Sequence, residues 1–156
     1  MTGPFASAAI SVHVVSAVVW VGGMFFALVL LRPATGPLEA GTRLELWSRV
    51  LGRFFPWVWA AIVLLLASGY GMVFGVYPGA RGIALHINIM QGLGIIMMLL
   101  FFHLYFAPWR RFRAAVGHQD YPAAARQLNQ IRVIVTINLI LGLITIAVGS
   151  SGRYWG

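Results

Sequence analysis

Four histidines, six methionines and no cysteine bound the metal chemistry open to this chain. His13 and His86 fall inside long apolar runs. An ionisable side chain is costly in hydrocarbon, so each marks a functional position. Neutral imidazole is a common metal ligand, and two imidazoles facing each other across a bundle suit a haem iron or a copper ion. Met90 follows His86 by four residues and shares its helical face, and Met72 closes the second apolar run. Thioether and imidazole together suit Cu(I). His103 lies seventeen residues beyond His86. That is roughly 25 Å along a helix, so the two cannot serve one metal. His103 is instead a candidate for a second site. Without cysteine there are no disulfides, no thiolate metal sites and no covalent c-type haem. The three acids, Glu39, Glu45 and Asp120, lie outside the apolar runs, and nothing resembles a hydrolase site.

The elements that must position these groups are membrane helices. Of 156 residues, 60% are hydrophobic and 9% charged. A soluble domain carries about 25% charged residues. Runs at 8–31, 55–74, 83–106 and 131–149 approach the roughly 20 residues needed to cross a bilayer. Lipid tolerates no unpaired backbone, so helices are expected. Polar extensions lengthen two of them, and the expected fold is all-α. It is a four-transmembrane-helix bundle and a single integral membrane domain over 1–156, with helices at about 8–31, 40–75, 83–106 and 122–150. Pro56 is expected to kink the second helix, and Pro122 to open the fourth.

Every basic residue is arginine, and the net charge is +8. Nine arginines lie in or beside the connections between helices 1 and 2 and between helices 3 and 4, whereas Arg81 and Arg153 lie at the opposite end. The positive-inside rule then places both termini on the outer, periplasmic side. It also accounts for the charge without nucleic acid. Trp47, Trp57, Trp59, Trp109 and Trp155 fall near run ends, as an interfacial aromatic belt would. Asn138, Gly142, Thr145 and Gly149 form a stripe of small and polar residues expected to pack the last helix on the bundle.

His13, Trp20, Gly22, Gly23, Met24 and Phe25 resemble the first-helix signature of the CopD-like integral membrane family. The Arg-Phe-Phe-x-Trp segment at 53–57 and the Ser68-Gly69 helix end are similar to that family too. The layout also resembles the HemJ-type membrane protoporphyrinogen oxidases through His13, Trp20, Gly23 and His103, with Asn129 and Arg132 before the last helix. That group carries a third-helix lysine, whereas this chain has no lysine. The second resemblance implies haem b and electron transfer toward quinone, and the first implies copper handling.

The favoured expectation is a haem b protein for electron transfer or membrane oxidoreduction. His13 and His86 would be axial ligands, and Trp20 and Met90 would lie around them. Gly23, Gly69 and Gly94 would give the haem room, and Arg81 would face its propionates. Quinone or a redox partner protein would act near His103. The first alternative is a copper-binding or copper-import protein using His13, His86, Met72 and Met90. The second is a structural subunit of a membrane complex. The bilayer is the expected partner, a homo-oligomer is allowed, and the expected location is the bacterial inner membrane.

Overall fold

The computed structural model describes residues 3–76 and 84–155. Within them the chain is all-α, with four helices long and apolar enough to cross a membrane. Helix α1, Gly3–Phe25, runs on through a widened stretch, Phe26–Leu31, into a last turn, Arg32–Ala34. Helix α2 spans Ala40–Val76 in one piece with Pro56 inside it. Helix α3 is Leu85–Phe106, α4 is the short Pro108–Gly117, and α5 is Tyr121–Ser151. A tight turn, Gly152–Tyr154, follows.

The widened stretch in α1 has a local cause. Pro33 has no N–H to give the carbonyl four residues back. The register slips ahead of it, and the Arg32 N–H reaches the Ala27 carbonyl, five residues back. Asp120 caps α5, its carboxylate accepting from the Ala123 N–H at 3.0 Å, and Pro122 follows in the first turn.

Apolar residues encircle the spans. Val15, Val18, Val63 and Leu99 are each at least 60% exposed and present the greasy exterior a bilayer requires. The buried residues instead join the helices. Helix α1 lies along α2, and α3 lies along α5, which also meets α1 and α4. At the arginine-rich end the core is aromatic. Phe55 meets Phe101, Tyr105 and Trp109 edge-on, with ring centroids 4.9 Å apart in the last case. Trp59 meets Phe101 and Tyr105 edge-on and stacks on Phe102. Beyond this block, Leu44, Trp47, Leu51, Phe112, Ala124 and Leu128 are buried where α2, α4 and α5 pack together. Of the tryptophans expected in a belt, Trp57 and Trp155 are exposed, whereas Trp47 and Trp109 are core residues and Trp59 packs against the core.

From the middle of the bundle to the opposite end the helices are held differently. Asn138 donates through Nδ2 to the Met97 carbonyl at 3.1 Å. Gly142 admits Val21 and the Met97 methyl, which lie 2.8 and 3.2 Å from where its Cβ would stand. Gly149 does the same for Met90, and Gly152 for His86. Asn138, Gly142 and Gly149 belong to the small-residue stripe read from the sequence, which seats α1 and α3 on α5, and Gly152 extends it.

Candidate functional site

His13 is half-buried on the face of α1 that meets α2. Its Nδ1 lies 2.9 Å from Ser68 Oγ. The ring fits because Gly69 has no side chain, and a Cβ there would stand 3.3 Å from His13 Cε1. The hydroxyl of Ser68 has one proton, and its shortest contact, 2.6 Å, is to the Leu64 carbonyl one turn back. Ser68 therefore accepts from His13, so Nδ1 carries the ring proton. The tautomer follows from this network. In this tautomer the lone pair is on Nε2, and Nδ1 is anchored as the second nitrogen is in metal-ligating histidines generally.

The glycine seats give the depths of the other donors. Val21, Met97 and Gly142 meet at one level. From there His13 is eight residues away along α1, and Met90 and Gly149 are seven residues away along α3 and α5. At 1.5 Å per residue, all three rise about 10–12 Å toward the same end. Met90 lies against Gly149. Beside it, Gln91 donates through Nε2 to the Tyr70 hydroxyl at 2.9 Å and ties α3 to α2. His13, Ser68, Met90 and Gln91 thus form one layer.

His86 is one turn, about 6 Å, nearer the end. It packs on the turn after α5, where a Cβ on Gly152 would overlap its own Cβ and Cγ. Met72, half-buried, lies one turn beyond Ser68, where Phe5 covers Gly71 and Gly75. Arg81 lies outside the described residues. His103 is exposed on the outer face of α3.

The residues expected around a haem are packed against protein neighbours. Trp20 is buried edge-on to Phe101, with centroids 6.2 Å apart. Gly23 receives the Phe54 ring, and Gly69 receives the His13 ring. Trp20 and Gly23 also stand seven and ten residues from His13, about 10–15 Å along α1. They belong to the aromatic block, and of the expected glycines Gly94 alone has nothing within 4 Å of its Cβ position.

Nothing in the sequence reading marked Ser68 as a partner of His13, nor Gly149 and Gly152 as seats for Met90 and His86. Ser68-Gly69 was visible as a small-residue helix end, but its register against α1 is a tertiary fact. Among the described residues there is no cluster of three or more histidines or acids able to cage a metal ion. The donors at this end are imidazoles and thioethers, while Glu39 and Asp120 begin helices at the arginine-rich end and Glu45 pairs there with Arg49.

A family model described as CopD, copper resistance protein D, matches residues 48–151. No curated protein and no solved structure matches the chain.

Proposed function

The chain belongs to the CopD, copper resistance protein D, family, and from that premise we propose that this multi-pass membrane protein handles Cu(I) as cargo at its histidine end. The observation that carries this reading is the His13 imidazole, its Nδ1 fixed on Ser68 Oγ, in one layer with the Met90 thioether. Soft thioether and imidazole donors without carboxylates select Cu(I) over hard cations. His86, one turn farther out, is the entry donor, and Met72 flanks it on α2. A ladder of such donors at two depths suits an ion handed inward. The arginine excess orients the histidine end to the outside, in a bacterial inner membrane.

The test uses the full chain purified in mild detergent and reconstituted in liposomes. Saturable Cu(I) entry is expected, lost in His13→Ala and in Met90→Leu. A visible spectrum, oxidised and reduced, is recorded on the same sample. A Soret band that disappears in His13→Ala and His86→Ala would replace copper with the haem that the HemJ-like layout implied. A colourless protein that neither binds nor passes copper would leave the structural-subunit reading.

A further inference from the structure

At the arginine-rich end a groove of about 490 Å³ opens between the last turn of α3 and the start of α4. Tyr105, Phe106, Trp109, Arg110, Arg113 and Ala114 line it. Its shape comes from the break at Ala107, whose φ of −114° and ψ of −84° leave the helical region before Pro108 restarts the chain as α4. Helix α4 is sharply two-faced. Pro108, Trp109 and Phe112 are buried, whereas Arg110, Arg111 and Arg113 are exposed. The Arg113 guanidinium lies over the Trp109 ring, 5.7 Å from its centroid. Among the described residues the one ion pair is Arg49 with Glu45. Arg110 and Arg113 therefore have no carboxylate partner there.

A groove with an aromatic floor and two unbalanced arginines fits a ligand that is apolar at one end and anionic at the other. It sits where the α3 span ends, beside exposed Phe106. Bilayer lipid presents that chemistry at that depth. We propose that this groove is a specific site for an anionic phospholipid. Its phosphodiester is held by Arg110 and Arg113, and its acyl chains run along Phe106 and the outer face of α3. Basic pockets beside membrane helices bind such headgroups, and arginine matches phosphate with paired donors.

The test is native mass spectrometry of the full chain released from detergent. It is titrated with phosphatidylglycerol, with phosphatidylcholine or with inorganic phosphate. One phosphatidylglycerol retained per chain is expected, about tenfold more tightly than phosphatidylcholine. Each of Arg110→Gln and Arg113→Gln should weaken retention about tenfold, the size of one charged hydrogen bond. Ala114→Phe keeps both charges but fills the groove, and should weaken retention as well, which covers the case where the arginine variants do not fold. The double variant Arg49→Gln, Arg126→Gln removes twice the charge of either groove variant, at the same end but outside the groove, and should change retention less than twofold. Equal retention of phosphatidylcholine, equal loss in the control pair, no loss in Ala114→Phe, or phosphate alone binding as tightly as the lipid would each overturn the assignment.

Discussion

The two ends of the bundle are built from different materials. The arginine-rich half is an interlock of large rings, Trp20, Phe55, Trp59, Phe101, Tyr105 and Trp109, followed by a second buried layer where α2, α4 and α5 extend past the spans. The histidine half is held by missing side chains, with Gly69, Gly149 and Gly152 each receiving one donor-bearing residue. Ring interlock fixes geometry at the expense of space. Glycine seats bring helices close while leaving imidazoles and thioethers half-exposed. Ring packing is thus concentrated at one end, and glycine seats for donor-bearing side chains at the other.

The sharpest way to break that comparison is a crossed pair of variants. Phe55→Ala should lower stability by roughly 3–5 kcal/mol, as expected for an aromatic side chain removed from a packed core, with Cu(I) affinity changed less than about threefold. His13→Ala should do the reverse. Copper entry should fall by more than about a hundredfold, with the thermal midpoint near wild type. Midpoints and copper isotherms on the same preparations decide it. If both variants lose both properties, the two ends are not separate devices.

Ser68→Ala sharpens the chemical half. It leaves His13 in place but removes the group that fixes its tautomer. Cu(I) affinity should drop roughly 10–100-fold, the usual cost of losing a partner behind a metal ligand. A merely structural role for Ser68 would leave the nitrogen-15 shifts of His13 unchanged. Ligation through Nε2 requires the Nδ1–H form in the native chain, and a mixture of tautomers is expected in the variant.

How much of this was legible in the sequence varies with the length scale of the cause. The four apolar runs and the arginine asymmetry were legible because bilayer thickness imposes them on composition. The stripe through Asn138, Gly142, Thr145 and Gly149 was legible because helical period alone puts those residues on one face. The short helix α4 was missed, although Pro108 followed by Trp109 and Phe112 among arginines carries an amphipathic signal. Which side chains fill the glycines near His13 was not legible. Phe54 in Gly23, and His13 itself in Gly69, are decided by interhelical register. Periodicity within one helix cannot report register between two.

Register can also be probed at the glycine seats. A Cβ at Gly152 would meet His86 close to its backbone, where nothing swings aside. Gly152→Ala should therefore cost about 1–3 kcal/mol, the range for overpacking. At Gly149 the neighbour is the flexible end of Met90, with Cε 2.9 Å and Sδ 3.2 Å from the new atom. Gly149→Ala should cost less, yet it displaces the thioether and should lower Cu(I) affinity. Equal destabilisation by the two variants would mean that Met90 is as rigidly packed as His86.

The smallest expected effect lies at the midpoint between the two halves. Asn138 is 2% exposed, and its Nδ2 donates to Met97, but its Oδ1 is buried with no hydrogen-bond partner. One interhelical hydrogen bond in a membrane is worth about 0.6 kcal/mol on average. The unpaired oxygen offsets part of that gain. Asn138→Leu should therefore change stability by less than about 1 kcal/mol in either direction. If it costs much more, a water or another group must satisfy Oδ1, and the junction is a polar connection rather than a seat. Copper affinity in the same variant discriminates further. It should stay at the wild-type value if the two halves are independent, and it should fall if Asn138 sets the register that brings Met90 level with His13.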